Sequence, residues 1–243
     1  MLQIVEPINP VAPYVGGKRV LAKTLIERIN QIEHSGYAEP FVGMGGVFFR
    51  RNRQPKTEVI NDISGDITTM FRVLQRHYAY FIDFLKFQVT SRREFERLAK
   101  TDPTTLTDLE RAARFIYLQK TAFGGKVSGI NFGVEKRGSA RFNVMRMESI
   151  LEAAYERLAG VVIENLPWQN MIERYDREGM LFYLDPPYWG CENDYGKDVF
   201  SRDDFKLLAD ILSQIKGRFI LSLNAVEGVY ETFSAFDIEE VDC

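Results

Sequence analysis

The chain has 243 residues, 45% of them hydrophobic, and a net charge of −3, enough for one large core or a core with a smaller subdomain. No apolar run can span a bilayer and the first residues, Met1 to Pro7, lack the build of a signal peptide, so a cytoplasmic protein is expected. Cys191 and Cys243 form neither a metal-ligand pattern nor a disulfide framework, and His34 and His77 are expected as partly exposed helix residues, which argues against a metal, zinc chemistry or Ser-His-Asp hydrolysis.

In chain order, a helical pattern runs from Arg19 to Ile32, a short strand precedes Phe41, a helix start follows Gly46, and a strand covers Glu58 to Asn61. From Met70 to about Gly160 the pattern is helical and charged, as in Phe81–Leu85 and Leu109–Leu118, with a further helix near Ser149–Leu158. Strands return at Val161–Ile163, Leu181–Leu184 and Phe219–Leu223, with a helix from about Arg202 to Ile215 between the last two. Strands alternating with helices predict an α/β fold with a mainly parallel sheet covered on both faces. The helical block reads as an insertion, dividing the chain into 1–69, 70–160 and 161–243.

Asp185-Pro186-Pro187-Tyr188 follows the apolar run Met180–Leu184, where a buried strand opens into a loop. Two prolines fix φ twice and remove two donors, so their carbonyls are rigidly aimed and free. A carboxylate, a free carbonyl and an aromatic face suit the capture of an exocyclic amino group on a flat heterocycle. Such an amine is a poor nucleophile because its lone pair is delocalised into the ring. Two acceptors gripping its N–H bonds pull the nitrogen toward tetrahedral geometry, while Tyr188 stacks on the ring. The competing reading is a Pro-Pro turn with an incidental Asp.

Glu39-Pro40-Phe41-Val42-Gly43-Met44-Gly45-Gly46 is a strand, a glycine loop and a helix start. Glycines at the C-terminal edge of an open α/β sheet let backbone approach a small molecule closely. Asp62 ends the next strand at a spacing that suits a ribose diol. A nicotinamide dinucleotide would want a small residue where Phe48 stands, so a phosphate-free adenosine cofactor fits better. A packing turn and a helix N-cap are the structural alternatives for the glycines and for Asp62. Upstream, Tyr14, Gly16, Gly17 and Lys18 lead into a helix and suit an anionic carboxylate, without matching the phosphate-binding loop.

Charge is uneven. Residues 111–147 hold Arg111, Arg114, Lys120, Lys126, Lys136, Arg137, Arg141 and Arg146 against one acid, Glu135, whereas Leu223–Cys243 holds six acids and no base. Phe115, Tyr117, Phe123, Phe132 and Phe142 interleave with the basic segment, the footprint of a polyanion site. A solvated basic face over core aromatics is the alternative.

Taken in order, the aromatic-x-Gly-Gly-Lys start, Glu-Pro-Phe-Val-Gly-x-Gly, Asn61-Asp62-Ile63, the helical insert and Asp-Pro-Pro-Tyr resemble the Dam-type (D12 class) DNA adenine-N6 methyltransferases over nearly the whole chain. The resemblance implies a Rossmann-like sheet with an inserted helical target-recognition domain carrying a hairpin, S-adenosylmethionine as donor and double-stranded DNA as partner. It implies cofactor contacts at Tyr14, Gly17, Lys18, Pro40, Phe41, Gly43, Gly45, Asp62, Ile63 and Asp185. The flipped adenine falls to Asp185, Pro186, Pro187 and Tyr188, and DNA to Phe123, Lys126, Ser128, Lys136, Arg137 and Arg141. A monomer is expected. Restriction-modification, phage protection and regulation are all open as its purpose.

The chain departs from that family in three places. The hairpin pattern Phe-Asn-Gly-x-x-Arg becomes Phe123-Gly124-Gly125-Lys126-Val127-Ser128, so a target different from, or looser than, GATC is expected. Asn165-Leu166-Pro167-Trp168 keeps an aromatic that frames the cofactor's adenine and loses the acid. The family continues into a closing strand pair where this chain stops at Asp242-Cys243, so a shortened form is expected. The rival readings are a methyltransferase acting on RNA or a protein amide, and a DNA-binding protein without activity.

Overall fold

The computed structural model describes residues 2–14, 18, 20–122, 131–133, 141–192, 196 and 199–241. Their elements are, in order, β1 (Gln3–Ile4), α1 (Ala22–Gln31), β2 (Gly36–Glu39), β3 (Arg53–Gln54), β4 (Thr57–Asn61), α2 (Gly65–Lys86), α3 (Arg92–Lys100), α4 (Asp108–Thr121), α5 (Val144–Arg157), β5 (Val162–Glu164), α6 (Trp168–Tyr175), β6 (Met180–Leu184), α7 (Arg202–Leu212), β7 (Arg218–Leu221) and α8 (Glu227–Thr232). Five strands form one parallel sheet in the order β5-β4-β2-β6-β7, and β1 with β3 makes a separate antiparallel ribbon. From β2 the chain moves outward to β4 and β5, then returns to β6 on the other side. The crevice between the ends of β2 and β6 is thus the switch point, where open α/β sheets bind ligands. This is the Rossmann-like arrangement expected from the sequence.

Both faces of the central strands are buried, which is why β6 reads as an uninterrupted apolar run rather than an alternation. Tyr37, Ile60, Leu181 and Tyr183 point to one side, into an apolar cluster shared with Phe81, Phe95, Ile116 and Leu151 of α2–α5. Ala38, Val59, Phe182 and Leu184 point to the other, against Met171 of α6 and Phe205 and Leu208 of α7. The helices between β4 and β5 therefore close on the sheet's own core. The first of them, α2, runs through residue 70, the expected domain boundary, and is kinked at His77. Local signals set the helix starts: a Thr107–Glu110 capping box for α4, Ser201–Asp204 for α7, and Asn143 for α5.

Several expectations are corrected. The helix expected after Gly46 is a single 3-10 turn, Phe48–Arg50, because the fully buried Phe48 and Phe49 and the descent of Arg51 into the interior leave no exposed face for a longer helix. The first helix starts at Ala22 rather than Arg19, and the last sheet strand ends at Leu221 rather than Leu223. His34 is buried in the loop before β2, not on a helix. Its Nδ1 lies 2.7 Å from the Ile32 carbonyl and its Nε2 3.2 Å from Arg51 Nη2, a pattern that only the neutral Nδ1–H tautomer satisfies.

Arg51 belongs to a buried charge cluster. Glu58 of β4 accepts from Arg51 (2.7 Å) and twice from Arg157 of α5 (2.6 and 2.8 Å). The guanidiniums also stack over Tyr37 (3.6 Å) and Phe48 (4.1 Å). One carboxylate thus holds two buried cations and ties α5 to the sheet.

Candidate active site

A cavity of about 400 Å³ opens at the C-terminal ends of β2, β4 and β6. Tyr14, Lys18, Pro40, Phe41, Gly43, Asp62, Ile63, Asp185 and Pro187, all singled out in the sequence, line it. Gly45 turns beneath it at φ +71°, with its Cα side so close to Phe49 that a Cβ would lie 2.6 Å from the ring. Pro186 is buried, and Tyr188 is half-buried and meets Lys18. Gly17 lies outside the described residues. Phe41, Trp168 and Phe200 form an aromatic wall, with ring centroids 5.9–6.2 Å apart.

Asp62 staples the glycine loop to the start of α2. Its Oδ2 accepts from the Gly43 amide and its Oδ1 from the Ser64 amide, both at 2.9 Å. Each carboxylate oxygen still has acceptor capacity for a hydroxyl in the cavity. Burial pushes this carboxyl up to about 6, against the pull of the two amides. Two asparagines that the sequence reading did not assign complete the frame. Asn61 donates to the Pro40 and Leu166 carbonyls and accepts from the Leu166 amide, tying three strand ends together. Asn165 donates to the Asp62 and Ile63 carbonyls, tying the segment after β5 into the frame.

Glu39 was also missed as a site residue, although it ends β2 and lines the cavity. It is 2% exposed and its Oε1 accepts from Tyr37 Oη at 2.7 Å. Burial pushes its carboxyl up to about 8, opposed by that hydrogen bond and by the more distant Arg51. A nearly buried acid facing an apolar cavity is a place for a cation.

Asp185 stands beside Glu39 at the end of the adjacent strand. Lys18 Nζ reaches Asp185 Oδ1 at 2.6 Å and Tyr188 Oη at 2.7 Å, and lies 4.2 Å from the Tyr188 ring centroid. The lysine expected to close over a cofactor carboxylate is therefore paired with the Asp-Pro-Pro-Tyr motif instead. Burial works against the charge of Lys18, yet Asp185 and Tyr188 together hold it above the ordinary lysine range. Burial also pushes Asp185 up, with Lys18 and Ser222 pulling the other way. Three of the carboxyls lining the site, Glu39, Asp62 and Asp185, thus stand at the ends of three neighbouring strands.

The basic segment divides. Arg111 and Arg114 are drawn to Asp66 at the start of α2 (2.5 and 3.7 Å), and Arg114 also donates to the Leu98 carbonyl. Arg141 donates to the Ala122 carbonyl at 3.3 Å, bracing the base of the expected hairpin. Phe115, Tyr117 and Phe142 are core residues, and Phe132 packs on that core, so these four aromatics follow the bland alternative. The side chains of Lys120 and Arg146 make no hydrogen bond or ion pair among the described residues. Phe123, Lys126, Ser128, Lys136 and Arg137 lie outside the described residues.

Comparison of the sequence with known proteins gives the family. The profile of the D12 class N6 adenine-specific DNA methyltransferases matches residues 14–242. The chain belongs to that family. It is 24% identical over 231 residues to the type II methyltransferase M.CviBI of Paramecium bursaria Chlorella virus NC1A, spanning 94% of this chain and 88% of that one. It is 25% identical over 270 residues to the type II methyltransferase M.MjaIII of Methanocaldococcus jannaschii, spanning 96% and 91%. It is also similar to the DNA N-6-adenine-methyltransferase of Escherichia phage P1, at 29% over 179 residues, 69% of this chain and 22% of the phage protein. The protein is a site-specific DNA adenine methyltransferase, and its reaction is methylation of adenine N6.

Proposed function

We propose that the cavity takes S-adenosylmethionine and that Asp185, Pro186 and Tyr188 take an adenine flipped out of double-stranded DNA. The observation that carries this reading is the meeting of Glu39, Asp62 and Asp185 around one cavity with an aromatic wall. The donor set suits the ligand. Phe41, Trp168 and Phe200 offer an apolar slot for adenine, Asp62 offers two acceptor oxygens for the ribose hydroxyls, and the Gly43–Gly46 turn would support the methionine part. Glu39, a buried acid with no cation bonded to it among the described residues, complements a cationic donor.

The donor supplies a methyl group on a positively charged sulfur. The protein's part is to make the amine nucleophilic and aim it. Asp185 and the Pro186 carbonyl accept the two N6 protons, which localises the nitrogen lone pair, and Tyr188 stacks on the base. The new N–C bond forms as the S–C bond breaks, sulfur keeps that electron pair, and the nitrogen then sheds one proton to an acceptor in the site. No covalent intermediate with the protein is needed. Unstacking the base costs a few kcal/mol, and stacking on Tyr188 returns about 1–3 kcal/mol. The helices between β4 and β5, with the basic stretch from Lys120 to Arg146, act as the target-recognition unit.

Transfer of labelled methyl from S-adenosylmethionine to DNA, RNA and total protein tests this directly. Label confined to adenine N6 of DNA, in duplex substrates, is expected. Equal labelling of RNA or protein would redirect the reading to another planar amine.

A further inference from the structure

The C-terminal end of β7 touches the catalytic loop at both ends. Ser222 Oγ donates to Asp185 Oδ1 at 3.0 Å, and the Ser222 amide donates to the Leu184 carbonyl at 3.0 Å. Tyr183 Oη lies 3.1 Å from the same Ser222 hydroxyl. Two residues on, Asn224 Oδ1 accepts from the Trp189 amide at 3.0 Å while its Nδ2 donates to the Trp189 carbonyl at 3.1 Å. Asn224 thus holds both backbone groups of the residue that follows Tyr188. Only an amide side chain supplies an acceptor and a donor with that reach. Trp189 is seated as well by Gly228, where a Cβ would lie 2.1 Å from the indole, and by Arg202 stacked 3.9 Å from its ring.

The bonds to Asp185 are one-sided. Lys18 and Ser222 both use Oδ1, and among the described residues Oδ2 has no bonded partner. A carboxylate whose one oxygen is saturated by two donors presents the other with its acceptor capacity intact. We infer that Ser222 and Asn224 are positioning residues that clamp the Asp185–Tyr188 loop at its two ends and reserve Asp185 Oδ2 for the amino group of the target base. Neither residue touches the reacting atoms. They act through Asp185 and Trp189, and the inference rests on Asp185 as the amine acceptor.

Two signatures separate this role from a merely structural one. The first is a split between kcat and KM. Misplacement by a fraction of an ångström lowers the rate of the bound complex while leaving ligand contacts in place. The second is the acid limb of the pH profile. The ionisable groups facing Asp185 are Lys18, Glu39 of β2, Tyr183 of β6 and Tyr188. Lys18 is the one cation among them. Withdrawing the Ser222 hydroxyl removes a bond that favours the ionised carboxylate, so Asp185 protonates at higher pH and the acid limb moves up.

The test measures methyl transfer to duplex DNA from pH 5 to 9 by the full chain and by Ser222→Ala, Ser222→Thr, Asn224→Asp and Asp185→Ala. Asn224→Asp is isosteric but sets a carboxylate oxygen against the Trp189 carbonyl. Ser222→Ala and Asn224→Asp are each expected to lose about tenfold or more in kcat, with KM for DNA and donor within twofold. The acid limb should rise by about half a pH unit or more in Ser222→Ala only. Ser222→Thr, which keeps the hydroxyl, should restore both rate and profile. Normal kcat in either Ser222→Ala or Asn224→Asp, a loss carried by KM, or an unmoved acid limb in Ser222→Ala would overturn the positioning role. Asp185→Ala separates the two levels: if it turns over normally, the reading of the site fails; if it is inactive while the clamp variants are normal, only the clamp fails.

Discussion

Replacing Glu39 with Gln should make the protein more stable as pH rises, and less able to hold its donor. Glu39 is 2% exposed, accepts one hydrogen bond from Tyr37, and is pushed up to about 8 by burial. In the unfolded chain the same carboxyl titrates near its ordinary value of 4.5. Between those two values the folded state binds more protons than the unfolded state, so stability falls as pH rises across the window. With one pKa unit worth 1.36 kcal/mol, keeping Glu39 protonated in the folded state costs on the order of 3 kcal/mol at pH 7 and almost nothing at pH 4. Glutamine keeps the shape and the acceptor for Tyr37, and removes the titration. Its poorly paired amide adds a penalty of about 1–2 kcal/mol, but that penalty does not vary with pH. The measurement is therefore the difference in unfolding free energy between variant and parent, by urea titration at pH 5, 6, 7 and 8. It should move in favour of Glu39→Gln by on the order of 3 kcal/mol across that range. Calorimetry above pH 8, where the folded Glu39 carboxyl is ionised, should show weaker binding of S-adenosylmethionine, since the cation loses its counter-charge. A stability difference that stays constant from pH 5 to 8 would refute the reasoning, because it would mean that Glu39 is not buried as an acid.

Asp62→Ala should weaken S-adenosylmethionine by about 1.5–3 kcal/mol, ten- to a hundredfold, with DNA affinity kept. In the parent, donor affinity should rise as pH passes up through about 6, because the ionised Asp62 carboxylate is the better acceptor; calorimetric titration checks both. Glu58→Gln should cost about 3–5 kcal/mol of stability in urea unfolding, since it strips the one carboxylate from two buried guanidiniums, Arg51 and Arg157. DNA affinity should fall steeply with salt despite the acidic net charge. With Arg111, Arg114 and Arg141 engaged internally, Lys120, Lys126, Lys136, Arg137 and Arg146 remain for phosphate, so log K against log salt should have a slope of about −4 to −5. Lys136→Ala with Arg137→Ala should flatten it by about two units.

The parallel sheet was legible because β6 is an uninterrupted apolar run, β2 and β4 are short strands buried along most of their length, and the ends of all three carry the motif residues Glu39, Asp62 and Asp185. Helices α6 and α8 were not read, and both are short; α3 fell within the stretch read as helical, where Ser91 caps it and Phe95 and Leu98 pack into the core. The basic segment misled because charge and aromatics there serve different ends, with Arg111 and Arg114 in ion pairs and Phe115 and Tyr117 in the core. Lys18 was assigned to an anion of the cofactor, whereas its partners Asp185 and Tyr188 lie 167 and 170 residues away in the chain and meet it only through the fold. Ser222 and Asn224 carry no motif, and their contacts with Asp185 and Trp189 exist only because β7 pairs with β6.

The central claim is that Asp185 at the cavity rim makes adenine N6 reactive. Expression of the full chain and of Asp185→Ala in a host without adenine methylation, followed by mass spectrometry of digested DNA, addresses it most directly. N6-methyladenine should accumulate with the parent and be absent with Asp185→Ala, while circular dichroism and Tm of the purified variant stay close to the parent's. Near-normal N6-methyladenine from a folded Asp185→Ala protein would contradict the account.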